Sequence, residues 1–257
     1  MDVINTSQNK QLSMKLGILN ACTPADETEF GSHEFVTFQN FFGLTNHNIT
    51  FVEYRITEGE FPTSLIECNA YLITGSPKGV YDREPWIEQL SSFISNCHAA
   101  QHKMVGICFG HQILAHSLGG HAEKSEKGWG MGPQMVEVLS PQPWMTPERP
   151  HGNLYFCHQD QVTMLPTDAV RLAGNDFCPN GMFVIGKQVL GLQAHPEFTL
   201  EVMQKAINWL RPQMDTKWID GIEAATAEQT ADNEIMAQWI VNFLEGHESC
   251  KTNSNRV

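Results

Sequence analysis

Hydrophobic positions in the first half of the chain come in short runs, each followed by a segment with helical spacing. KLGILNA (15–21), NAYLI at the head of NAYLITGSPKGVYD (69–82), and KMVGIC (103–108) are apolar throughout and read as buried strands. ITFVEYRI (49–56) alternates and reads as a further strand. EFVTFQNFFG (34–43), PWIEQLSSFISNCHAAQ (85–101) and HQILAHSLGG (111–120) read as helices, the second opening on a proline and the other two closing on glycine. Phe35, Phe38, Phe41 and Phe42 form a helix face expected to pack on the sheet. Strands alternating with helices predict an α/β fold, with a parallel sheet covered on both faces.

The second half changes rhythm. MGPQMVEVLS (131–140), GNLYFCH (152–158), VRLAGND (170–176), MFVIGKQ (182–188) and VLGLQAH (189–195) are short strands separated by turns, and predict hairpins beside or extending the sheet. A helix follows over 199–212, and a last one over about 222–245. The latter carries Ile235, Met236, Trp239, Ile240 and Phe243 on one face, suited to the parent domain or to another protein. The expected organisation is a polar tail (1–13), one domain (14–212), a short C-terminal helical extension (213–247) and a second polar tail (248–257).

Charge narrows the partners. Sixteen Lys and Arg against 29 Asp and Glu give a formal charge of −13 over 257 residues. Nucleic acid and anionic membranes call for a basic patch, and none is visible. The N-terminus has no apolar h-region, and no run reaches the ~18 apolar residues of a membrane span. The seven cysteines are odd in number, scattered and free of C-x-x-C, which predicts reduced thiols and a cytoplasmic protein.

One cysteine stands apart. Residues 106–110 are G-I-C-F-G, between an apolar strand and a helix. A nucleophile flanked by glycines at that junction forms an elbow that lifts the thiol clear of the sheet. The helix N-terminus then favours a thiolate, and the Phe109 amide faces the site as an oxyanion donor. Among eleven histidines, His195 in LGLQAHPEF ends an apolar strand where an α/β sheet places its site. Glu197, two residues on, can hold the imidazole. The roles are nucleophile Cys108, acid/base His195 and orienter Glu197. A second oxyanion donor is expected from TGSPKG (74–79): Pro77 has no N–H, which leaves Ser76, with Gly75 as the alternative. His111, His116 and His121 step by five and diverge around a helix, so no metal site is expected. Trp129, between glycines in KGWGMG, is expected in a loop or strand edge near the site, packing under its rim or touching substrate; Cys157 is read as packing.

GICFGHQ (106–112), followed by AHPEF (194–198) and preceded by TGSPKG, resembles the class I (triad-type) glutamine amidotransferases over about Lys15 to Leu210. The flavour is that of the glutaminase domain of GMP synthetase and its stand-alone relatives. The resemblance implies a flavodoxin-like three-layer sandwich with a central, mostly parallel sheet, and ammonia release from glutamine through a γ-glutamyl thioester without a cofactor. It implies a Cys108, His195 and Glu197 triad, with Ser76 and Phe109 as the oxyanion donors. Gly75, Gln112, His158, Gln159 and Asp160 would then hold the substrate. CHQDQV (157–162) carries the last three. Neither a synthetase pyrophosphatase loop nor a P-loop is present, and residues 213–257 are too few for a synthetase domain. Either a separate synthase partner takes the ammonia, or the protein is a stand-alone γ-glutamyl peptidase or hydrolase. A non-catalytic binding or regulatory module is the third reading, and the intact Cys, His and Glu set argues against it.

Overall fold

The computed structural model describes residues 14–246; the tails expected at 1–13 and 248–257 lie outside the described residues. In chain order the elements are β1 (Met14–Asn20), α1 (Pro24–Phe30), α2 (Glu34–Phe42), β2 (Ile49–Arg55), β3 (Ala70–Ile73), α3 (Pro85–Ala99), β4 (Lys103–Ile107) and α4 (Phe109–Ser117). There follow β5 (His121–Lys124), β6 (Gly130–Val138), β7 (His151–His158), β8 (Asp160–Met164), β9 (Ala169–Gly174), β10 (Met182–Ile185) and β11 (Val189–Leu192). The helices α5 (Leu200–Leu210), α6 (Thr216–Glu228) and α7 (Asn233–Glu245) close the described chain.

Nine strands form one sheet in the order β2-β1-β3-β4-β11-β10-β9-β6-β7, while β5 and β8 pair separately. From β2 through β11 the neighbours run parallel, with Leu16 opposite Phe51 and Ala70, and Gly191 opposite Gly106. Beyond β11 the pairing turns antiparallel. The reason lies in the connections. Residues 186–188 between β10 and β11 are too few for a parallel crossover, so they close a hairpin, with Gly186 at φ 55°.

The strands bury both faces, as their apolar runs require. Leu16, Ile18, Leu72, Val105 and Ile107 meet Phe38, Phe41 and Phe42 of α2 and Trp239 and Phe243 of α7. On the other side Leu19, Tyr71, Ile73 and Met104 meet Leu90 and Ile94 of α3 and Ile113 and Leu114 of α4. The result is a flavodoxin-like layering of helices on both sides of a central sheet. A third cluster joins α5 and α6 to Met131, Tyr155 and Phe198.

The helix expected over 222–245 is two helices. Asp232 breaks the pattern: its amide donates to the Asn153 carbonyl at 2.8 Å, and its carboxylate accepts the Asn153 amide at 2.7 Å. The Asn153 side chain adds a bond to the Thr230 carbonyl, so the linker is stitched to β7 and the chain turns. The α7 face named above packs on the parent sheet and α2. Trp239 Nε1 donates to the Pro147 carbonyl, and Asn242 donates to those of Trp144 and Thr146. Among the described residues, no helix is long and apolar enough to cross a membrane, and six cysteines are free.

Candidate active site

Cys108 joins β4 directly to α4, with φ 52° and ψ −104°. A positive φ is costly for a residue with a Cβ, and persists only where the surroundings over-determine it. Here the Cys108 amide donates to the Leu192 carbonyl of β11 (2.9 Å), and its carbonyl accepts the Gln112 amide as the first turn of α4 (3.0 Å). The flanking glycines are steric necessities. A Cβ on Gly106 would run into the Gly110 backbone, and one on Gly110 into the Ile73 carbonyl. The Gly110 amide donates to the Thr74 carbonyl at 3.1 Å, tying α4 to the end of β3. With the Cys108 and Gly110 amides so engaged, the Phe109 amide between them, first in its helix, has no intrahelical acceptor. The Phe109 side chain is buried against Trp86, with 5.5 Å between ring centroids.

The loop after β3 passes against both the cysteine and the histidine. A Cβ on Gly75 would lie 3.1 Å from His195 Cε1 and 3.8 Å from Cys108 Cβ. The Gly75 carbonyl accepts the Thr74 hydroxyl (2.9 Å) and the Cys22 thiol (3.5 Å). In a trans peptide the N–H points opposite to the C=O. The Ser76 amide, which shares that peptide unit, is therefore turned away from Cys22 and Thr74.

His195 follows β11, and its amide donates to the Tyr155 carbonyl of β7 at 2.8 Å. Nδ1 lies 2.7 Å from Glu197 Oε1, which leaves Nε2 for the thiol. The Phe198 ring stacks on the imidazole at 4.1 Å. Both members of the pair are buried, Glu197 completely in its side chain. Burial alone would discharge the imidazole. The neighbouring Cys108 and Glu197 outweigh it through charge and side-chain hydrogen bonds, and hold the imidazolium well above the ordinary histidine range. The three residues expected to form the triad thus converge.

The other expected site residues lie on α4 and on the segment packed against it. Gln112 is buried, its amide donating to the Asp160 carbonyl (2.8 Å) and to Gln193 Oε1 (3.1 Å). The Gln159 carbonyl accepts the Ser125 amide. The Asp160 carboxylate pairs with the Tyr81 hydroxyl, on the loop that follows Ser76. His158 is buried between Phe156 and Phe177 with neither ring nitrogen bonded; burial, then His195 and His111, push its pKa down to about 3. This segment reaches the thiol through the Cys157 carbonyl, 3.9 Å from Cys108 Sγ. The Cys157 thiol itself is pushed up to about 12 by burial and stays protonated.

In front of the thiol a cavity opens, and one wall of it was not anticipated. Gly75, Ser76, Cys108 and His195 line one side; α1 and the head of α2 line the other with Asp26, Glu27, Glu29 and Glu34. Trp129, just before β6, and Trp209 of α5 continue the wall, with their ring centroids 6.0 Å apart. The signal for α1 was present at its start. Thr23 and Asp26 form a capping box and Pro24 occupies the first turn. What hid it was brevity: seven residues give no apolar period.

A cysteine on a strained strand-to-helix elbow, beside a His–Glu pair at the end of the next strand, defines a nucleophile-elbow α/β domain. The chain belongs to the glutamine amidotransferase class-I family, whose model matches residues 40–209. It is similar to gamma-glutamyl peptidase 5 of Arabidopsis thaliana, 29% identical over 75% of this chain and 80% of that protein. It is also similar to one subunit of the glutamine-hydrolyzing GMP synthase of Methanococcoides burtonii, 31% identical over 44% of this chain and 60% of that one. Among solved structures, a glutamine amidotransferase from Thermotoga maritima shares the fold, with a TM-score of 0.73 at 19% identity over 90% of this chain and 99% of that one.

Proposed function

We propose that the protein hydrolyses γ-glutamyl amides through a thioester on Cys108. The Cys108 thiolate attacks the γ-carbonyl, and the oxyanion rests on the Phe109 and Ser76 amides. The C–N bond then breaks as the His195 imidazolium gives its proton to the leaving nitrogen. Water attacks the thioester, His195 takes the proton back, and the C–S bond breaks to release glutamate and restore the thiolate. Glu197 holds the imidazole and stabilises its charge throughout. On this reading Gln112 and the 158–160 segment hold the acyl part of the substrate.

The observation that carries this reading is the convergence on one thiol of the strained Cys108, the buried His195–Glu197 pair and the Gly75–Ser76 turn. The cavity beyond His195 leaves space for a leaving group larger than ammonia. Similarity to gamma-glutamyl peptidases over most of both chains supports the same choice. A second reading, glutaminase activity feeding a separate synthase, draws on the similarity to glutamine-hydrolyzing GMP synthase subunits. The test is kcat/KM for glutamine and for γ-glutamyl dipeptides, with Cys108→Ala as control. Faster turnover of the dipeptides supports the hydrolase, and faster turnover of glutamine supports the glutaminase. No turnover of either, with Cys108 unlabelled by an electrophilic glutamine analogue, overturns both.

A further inference from the structure

The leaving nitrogen must take its proton from His195, so the leaving group lies on that side of the thiol. From His195 the cavity wall runs through Phe198, stacked on the imidazole, to Phe30 at 5.8 Å and on to Trp209 at 6.5 Å. Beside these rings stand the four carboxyl groups of α1 and α2, and among the described residues no Lys or Arg lines the cavity.

Three of the four acids are already engaged. Asp26 accepts from Thr23, and Glu29 accepts the Trp209 indole N–H at 3.0 Å. Glu27 accepts from Asn20 and faces His33 and Arg55. Glu34 differs. It is 8% exposed, its carboxyl lines the cavity, and among the described residues no donor reaches it. A buried acid without a donor is costly. Burial first, then the Glu197 and Glu27 charges against the opposing pull of His195, raise its pKa to about 8. A first-turn acid normally serves its helix from the solvent side. This one is turned inward, and lacks the cation that would let it ionise.

We propose that this cavity is a leaving-group subsite for amines that carry a second positive charge on an aliphatic or aromatic body, with Glu34 as the counter-ion. The subsite rests on the γ-glutamyl hydrolase reading for its orientation. The aromatic wall takes the body by apolar contact and cation–π attraction. A leaving group ending in a carboxylate, as a peptide does, meets the acidic wall and is repelled.

Three γ-glutamyl amides of matched length test it: those of 1,4-diaminobutane, pentylamine and 5-aminopentanoate. The expected order of kcat/KM is ammonium, then neutral, then carboxylate, with about tenfold between the first two, as one charge-assisted contact provides. Glu34→Gln is expected to bring the ammonium-to-neutral ratio down to about one. Because both substrates are compared in one preparation, partial misfolding does not move this ratio. The free amines supply a readout independent of turnover: 1,4-diaminobutane should slow alkylation of Cys108 more than pentylamine, and Glu34→Gln should abolish the difference. Hydrolysis of all three amides without charge preference overturns the subsite and leaves the hydrolase reading standing. Protection by the diamine without hydrolysis of any amide overturns the hydrolase reading and supports the subsite. The absence of both preference and protection overturns the subsite.

Discussion

The two walls of the cavity are built differently. The elbow wall is made of backbone: Gly106 and Gly110 at contact distance, a cysteine at positive φ, and amides whose neighbours are already bonded. The wall opposite is made of side chains from the seven-residue α1, the head of α2 and Trp209. Backbone walls tolerate almost no substitution, because a Cβ has nowhere to go. Side-chain walls can change residue type while the fold stands. The proposed reaction thus puts bond-making on the rigid wall and the choice of leaving group on the variable one.

The sharpest way to break this contrast is Gly110→Ala. The added methyl meets the Ile73 carbonyl, which belongs to β3 and cannot swing away. The expected loss is about 3 kcal/mol, the upper end of overpacking costs, measured by denaturant unfolding. A variant as stable as the parent would show the elbow to be loose. Glu197→Gln comes next. It keeps the shape but removes the charge that sustains the imidazolium, and kcat should fall by about 10²-fold. The pH at which His195 titrates, followed by NMR, should fall with it. On the opposite wall Trp209→Ala should lower the ratio of kcat/KM for a bulky γ-glutamyl amide over glutamine by about tenfold, the loss of one aromatic contact. A ratio that does not move would mean that this wall does not meet substrate.

The last test concerns α4 and the segment packed against it. His111 and His158 are held near a pKa of about 3 by burial, against an ordinary 6.5. Below pH 6.5 the unfolded chain takes up protons that these two folded imidazoles refuse, so stability falls as pH falls. Each contributes up to about 1.4 kcal/mol per pH unit, and nothing above pH 6.5. His158→Phe should remove its share of that slope in urea midpoints between pH 4 and 6.5. An unchanged slope would mean that His158 titrates normally.

The alternation of apolar runs and helices marked the parallel half of the sheet, because each buried strand reads as a continuous run and each helix carries its own period. The same reasoning joined α6 and α7 into one helix. No glycine or proline interrupts 222–245, and the bonds from Asn153, 79 residues earlier at its Asp232 contact, make the chain turn there. The β5–β8 pair escaped notice because four- and five-residue strands with exposed positions leave little pattern. Cys108, His195 and Glu197 were legible from their immediate neighbours. The acidic wall was not, since α1 is too short to leave an apolar period and nothing beside Glu34 in the sequence marks it as buried.

What the sequence determined by itself is local. Two glycines around a cysteine, a strand ending in His-Pro-Glu and a Gly-Ser-Pro turn each encode a backbone shape within a few residues. The tertiary structure decided what those shapes face. It set the Tyr155 carbonyl against His195, turned the Gly75 carbonyl toward Cys22, and put an unpartnered Glu34 beside the thiol cavity. Such relations depend on which strands are neighbours and on how deeply a charge is buried, and desolvation and long-range pairing leave no mark on the residues nearby in sequence.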